Sequence, residues 1–211
     1  MVKELRNFND KGLRAELETL CPTIDDLRTV LGTLRHAFNR NSVRELDPLA
    51  QLHPKITLDL DLVFEKVEIA LEKGRPGEKP YLLRLQGVLT HLELMGAHLH
   101  DLAEHLRRKI RIGAIFLDKD VIFLNNLFSR QTGLLRTLVD VMKRDNQLLR
   151  TYLRDESSRL IEDCFSVREH HELQMMDSHV HPEGWGLFIG MLEQMQAISK
   201  HLLETLKFLE K

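Results

Sequence analysis

Leu92-Glu93-Leu94-Met95-Gly96-Ala97 returns one hundred residues later as Leu192-Glu193-Gln194-Met195-Gln196-Ala197, and Leu102, Glu104 and Leu106 return as Leu202, Glu204 and Leu206. Seven of the fifteen positions from 92 to 106 are identical at that fixed offset. Unrelated leucine-rich helices share fewer, so the chain reads as two copies of one helical unit of roughly 90–100 residues.

Working outward, each copy carries three apolar stripes at helical spacing. Thr23, three residues before Asp26, looks like a capping box, and Leu27, Leu31, Leu34 and Phe38 follow it, predicting a first helix to about Asn39. After a polar turn, Leu49, Leu52, Ile56, Leu60, Val63, Val67 and Leu71 predict a second helix that ends near Gly74 and is kinked or shortened at Pro54. Arg75-Pro76-Gly77-Glu78-Lys79-Pro80 is the plainest breaker, and Leu82 to Leu106 predict the third helix. The second copy starts near Asp118 with Leu124, Leu127, Leu134, Leu138 and Val141. It turns near Arg144 and Asp145, and continues through Leu148, Tyr152, Leu160 and Cys164 toward Met176. His179-Val180-His181-Pro182-Glu183-Gly184 breaks the pattern before a last helix from Trp185 to Leu206. Three amphipathic helices with short connections bury their stripes by closing into a bundle. The expected fold is therefore all-α: two tandem three-helix bundles at 23–112 and 118–211, preceded by a charged arm at 1–22 whose Leu13–Leu20 stretch is amphipathic.

Composition agrees. Hydrophobic residues make up 43% and charged residues 29% of 211, aromatics only 6%, and glycine and proline number eleven and six, a balance that favours helix. Thirty basic against thirty-two acidic residues give a net charge of −2, with no overall field to draw the chain to nucleic acid. The densest basic run, Arg107, Arg108, Lys109 and Arg111, falls where cations complement the carbonyl end of a helix. Cys21 and Cys164 fit no metal spacing and read as buried thiols of a reducing compartment. Residues 1–9 lack an apolar signal core and no later segment is long and apolar enough for a membrane span, which places the protein in the cytoplasm.

Leu92-Glu93-Leu94-Met95-Gly96-Ala97-His98, followed by Asp101-Leu102-Ala103-Glu104, resembles the third-helix signature of the PhoU-like phosphate-transport regulators, Leu-Glu-Arg-Ile-Gly-Asp-His-Ala then Asn-Ile-Ala-Glu. Leu192–Glu204 is similar to a second occurrence, and Lys143-Arg144-Asp145-Asn146-Gln147-Leu148-Leu149 with Asp155 resembles the family's second-helix pattern. The resemblance covers roughly residues 23–211. It implies a cytoplasmic regulator of phosphate uptake and phosphate-starvation signalling. Such a regulator works by contact with a phosphate transporter's ATPase subunit or a sensor histidine kinase rather than by catalysis, and a homodimer is among the assemblies it allows.

The resemblance also implies metal sites for Fe, Zn or Mn ions built from carboxylates four residues apart. Glu93 and Glu193 keep the first carboxylate, but Ala97 and Ala197 stand where the second belongs, and Asp155 is followed by Arg159 instead of an acid, so the site is degenerate. From the residues themselves, His91, His98 and His105 lie at i, i+7 and i+14 with Asp101 on much the same face, so His98, Asp101 and His105 are alternative ligands; His170, His171, His179 and His181 form a second group. No glycine-rich phosphate loop, GxSxG or cysteine–histidine arrangement signals an enzyme. Met95, Met191 and Met195 read as core, and Trp185 as the anchor of the last helix. Two other functions fit the residues: a metal-binding bundle using the Glu, Asp and His ligands, and a diverged helical scaffold whose partner is unrelated to phosphate.

Overall fold

The computed structural model describes residues 10–73, 76–144, 146–177 and 182–210. It contains α1 (Asp10–Thr19), α2 (Cys21–Arg40), a 3-10 turn (Val43–Leu46), α3 (Leu49–Lys73), α4 (Lys79–Arg111), α5 (Asp118–Lys143), α6 (Gln147–Asp177) and α7 (Pro182–Glu210), with no strand among the described residues. The protein is an all-helical bundle. None of its described helices is long and apolar enough to cross a membrane.

Local chemistry sets the helix ends. Pro22 and Pro80 sit in the first turns of α2 and α4, where a missing N–H costs nothing. α2 ends on Asn41 in the left-handed region (φ 49°), with Asn41 N–H bonded to Phe38 O and Ser42 N–H to Ala37 O. α4 ends the same way on Gly113 (φ 67°), with Gly113 N–H on Ile110 O and Ala114 N–H on Lys109 O. Both are Schellman closures, built on the two residue types that best tolerate that backbone. Asn146 caps α6, its Oδ1 accepting from Leu148 N–H at 2.9 Å.

The helix starting at Thr23 needs correction. α2 begins at Cys21, Thr23 is buried within it, and no side chain caps Leu20; Pro22 sets the start, and Asp26 bonds Lys55 of α3 instead of a backbone N–H. Pro54 lies inside α3, and the helix continues through it. The α6 stripe is also shifted: Leu148 and Tyr152 are 80% and 52% exposed, while Leu153, Ser157, Leu160 and Cys164 are buried. The break around His179 lies mostly outside the described residues.

α3 packs on α2 and α4, α6 packs on α5 and α7, and the two sets meet along two seams, α2 with α5 and, most extensively, α4 with α7. α1 lies across α4 and α5 and buries Leu13 and Leu17. The apolar side chains form one continuous core that includes Met95, Met191, Met195 and both cysteines, with Trp185 partly buried against it. Five of the seven repeated positions occupy matching environments: Leu92, Met95, Leu102 and Leu106 are buried, as are Leu192, Met195, Leu202 and Leu206, while Glu93 and Glu193 face solvent.

The α2–α5 seam is aromatic and amide-lined. Phe38 packs against Phe116 and Phe128 with centroids 6.2 and 6.1 Å apart, and the Asn39 and Asn125 amides bond each other at 2.9 and 2.8 Å. Lys109, expected among the cations that complement the carbonyl end of its helix, is only 9% exposed. Its Nζ donates to Asn41 Oδ1 at 2.7 Å and lies 5.6 and 5.5 Å from the Phe38 and Phe116 ring centres. Burial lowers its pKa, and the ring faces and the amide oxygen compensate the ammonium in place of a carboxylate.

Candidate functional site at the α4–α7 seam

α4 and α7 run antiparallel, as Arg84 bonds the Phe208 carbonyl at one end and His105 meets Gly190 at the other. His91, His98 and His105 recur every two turns, so they share the α4 face that meets α7. Gln194 and His201 have the same spacing on α7, which brings His91 opposite His201 and His98 opposite Gln194.

The groups form one chain. His98 Nδ1 is 2.7 Å from Gln194 Oε1, His98 Nε2 is 3.3 Å from His201 Nε2, and His201 Nδ1 is 3.1 Å from His91 Nδ1. Ring centroids are 5.2 Å apart in both His98–His201 and His91–His201, and His91 rests against Phe208 at 5.8 Å. A neutral imidazole has one N–H and one lone pair, so the direction of every bond follows from the first. With Gln194 Oε1 accepting from His98 Nδ1–H, His98 Nε2 accepts from His201 Nε2–H, and His201 Nδ1 accepts from His91 Nδ1–H. With the Gln194 amide oriented this way, each contact in the chain is satisfied.

A further proton on His201 would set its Nδ1–H against the N–H of His91. The seam therefore disfavours a charged His201. Burial, followed by the His98 and His91 rings, pushes His201 down to about 4 against the raising effect of Glu204, and burial also lowers His91. Glu204 accepts from Lys207 Nζ at 2.5 Å, which lowers its carboxyl. Chemically, the arrangement is a hydrogen-bonded wire of three imidazoles that ends on the Gln194 amide.

The residues singled out from sequence are dispersed. Glu93 lies exposed on α4, Asp155 on α6 and Glu193 on α7, the last 3.9 Å from Arg168. Asp101 faces solvent on α4, and the His105 ring lies over Gly190, outside the wire. Of the alternative ligands only His98 takes part. His170 is exposed on α6, and the His171, His179 and His181 side chains lie outside the described residues. Among the described residues no group of three or more His, Cys, Asp or Glu side chains is arranged to hold a metal ion. Both thiols are buried, and burial pushes Cys164 up to about 12 and also raises Cys21. Sequence reading found the histidine face of α4 but missed His201 and Gln194, whose matching seven-residue spacing was the available signal. No family model, curated protein or solved structure matches the chain.

Proposed function

We propose that this chain is a PhoU-like cytoplasmic regulator of phosphate uptake and phosphate-starvation signalling. In this reading, 23–112 and 118–211 are tandem three-helix bundles, 1–22 is an arm, and the output is contact with a phosphate transporter's ATPase subunit or a sensor histidine kinase. Catalysis plays no part in it, and the family's metal site is degenerate because Ala97 and Ala197 replace its aspartates.

The observation that carries the reading is the register of the two seams. Gly87 and Phe208 lie equally far from a midpoint at 97/98 and 197/198, as do His105 and Gly190. For the α2–α5 pairs Arg35–Asn125, Phe38–Phe128 and Asn39–Asn125, a 100-residue exchange has its midpoints near residues 32 and 132. One two-fold axis relating two copies requires these midpoints to lie at one level. Gly96 lies against Leu27, which sets residue 97 of α4 beside residue 28 of α2, within about one helical turn of that requirement. The offset is the one at which the Leu-Glu-x-Met-x-Ala signature repeats, and the family resemblance rests on that repeated signature.

The test is genetic. Deleting the gene is expected to switch on a phosphate-starvation reporter in phosphate-rich medium, with restoration by the intact gene; a reporter that stays silent overturns the reading.

A further inference from the structure

α3 and α6 take corresponding outer places in the bundle, α3 over α2 and α4 and α6 over α5 and α7. Their buried positions have the same spacing: Ile56, Leu60, Val63 and Val67 on α3, Leu153, Ser157, Leu160 and Cys164 on α6. The outward positions then correspond as Leu58 with Asp155, Leu62 with Arg159 and Ile69 with Ser166. On α6 these positions are polar, as the solvent side of an amphipathic helix requires. On α3, Leu58 is 59% and Leu62 47% exposed, so packing within the described chain does not account for them. With the partly buried Ile69 they lie at i, i+4 and i+11, one apolar stripe about 16 Å long on the side turned away from the core.

Acid borders the stripe. Residues 58–72 hold five carboxylates and one lysine, Lys66. Asp59 is taken by Lys55, which also bonds Asp26 of α2. Asp61, Glu65 and Glu68 are exposed, and none has an ion-pair partner among the described residues. His53 meets His100 of α4 while Lys55 reaches α2, so helical spacing puts Asp61 and Glu68 on the α4 side of the stripe, Lys66 on the α2 side and Glu65 within it. Exposed Glu93 of α4, three residues before the Gly96 that abuts Ile56, extends the acidic side.

This charge pattern selects the occupant. Antiparallel pairing of two such faces would set acidic flank against acidic flank, and parallel pairing would set Glu65 against Glu65, so a second copy of the chain is disfavoured. Anionic headgroups of a lipid surface are repelled for the same reason. A helix with an apolar stripe and Lys or Arg along its flanks covers the leucines and neutralises the carboxylates together. We infer that the outer face of α3 docks a basic amphipathic helix of a partner protein. The surface is read from its own residues and does not rest on the regulatory reading.

Fluorescence anisotropy on the purified full chain tests it with labelled peptides of about five helical turns. One is an amphipathic helix of Leu and Lys, one has the same composition scrambled to remove the stripe, and one keeps the stripe with Glu in place of Lys. The basic amphipathic peptide is expected to bind with a Kd of about 10 μM, the scrambled one roughly tenfold more weakly or worse, and the acidic one not at all. Leu58→Gln/Leu62→Gln should weaken binding by roughly tenfold with an unchanged urea midpoint, since both positions are exposed. Glu65→Lys should weaken it and reduce its salt dependence, and Leu148→Gln, at an exposed leucine of α6, should leave it unchanged. Absence of binding, equal binding of the scrambled peptide, or binding undiminished in both α3 variants would overturn the inference. So would tighter binding to phosphatidylserine vesicles than to the peptide, or self-association in sedimentation equilibrium that Leu58→Gln/Leu62→Gln abolishes. Because binding is read on the isolated protein, its failure is distinct from a silent reporter in the deletion strain.

Discussion

The α2–α5 and α4–α7 seams do the same architectural job with different chemistry. One joins the N-terminal and C-terminal helices through Phe38, Phe116, Phe128 and an Asn39–Asn125 amide pair, none of which titrates in the working range of a protein. The other does so through His91, His98, His201 and Gln194, three of which are imidazoles joined in one hydrogen-bonded chain. A helix pair can therefore be equally well packed and yet differ in what disturbs it: the first responds to lost volume, the second to added protons.

The largest expected effect lies in the aromatic seam. Phe128 is fully buried and packs against Phe38, so Phe128→Ala removes a ring from a site with no solvent to refill it. A loss of about 3–5 kcal/mol is expected in urea unfolding, the same at pH 5 and pH 7.5. If the loss varies with pH, the two seams are coupled and the contrast breaks.

The histidine seam is expected to give the next largest effect, with the opposite pH behaviour. His201 falls from 6.5 to about 4 on folding, so between those values the unfolded chain binds more protons than the folded one. Stability is accordingly flat above about pH 6.5 and declines as pH drops toward 4, and His91 acts in the same direction. The total is on the order of 1–3 kcal/mol once screening at the half-buried ring is allowed for. His201→Gln should flatten most of this decline, while Phe128→Ala should keep it. An unchanged slope in His201→Gln would place the titration elsewhere.

These contrasts also mark what the amino-acid sequence reveals. The helices are legible because apolar spacing reports burial directly: Leu82, Leu85, Leu89, Leu92 and Leu99 are all inside. The α6 stripe misleads because Ser157, a polar residue, occupies a core position while Leu148 and Tyr152 are apolar and outside. The α2 start misleads because Thr23 and Asp26 imitate a cap that Pro22 makes unnecessary. The seven-residue recurrence of His91, His98 and His105 is local and visible. That His201 completes the wire depends on the antiparallel register of α4 and α7, which no spacing within one helix encodes. Lys109 was hidden for the same reason, since Phe38, Phe116 and Asn41 reach it from other elements.

The smallest effect is the sharpest in sign. Glycine in a helix interior is less favourable than alanine by roughly 0.5–1 kcal/mol, so Gly→Ala stabilises wherever a methyl group fits. At Gly133, on the exposed face of α5, an added Cβ meets nothing within 4 Å, and Gly133→Ala should gain that amount. At Gly87 the same Cβ would lie 2.5 Å from Cε1 of Phe208, and at Gly190 2.5 Å from Cε1 of His105. Phe208 also packs against His91 in a tilted arrangement, so moving its ring disturbs the end of the imidazole wire. Overpacking of this kind costs about 1–3 kcal/mol, which outweighs the helix gain and leaves Gly87→Ala and Gly190→Ala net destabilising by about 1 kcal/mol. One chemical change thus carries opposite signs on α5 and in the seam, read as opposite shifts of the urea midpoint at pH 7.5. If Gly87→Ala stabilises as Gly133→Ala does, the α4–α7 seam yields to a methyl group, and the close approach that aligns the imidazoles is not what sets their register.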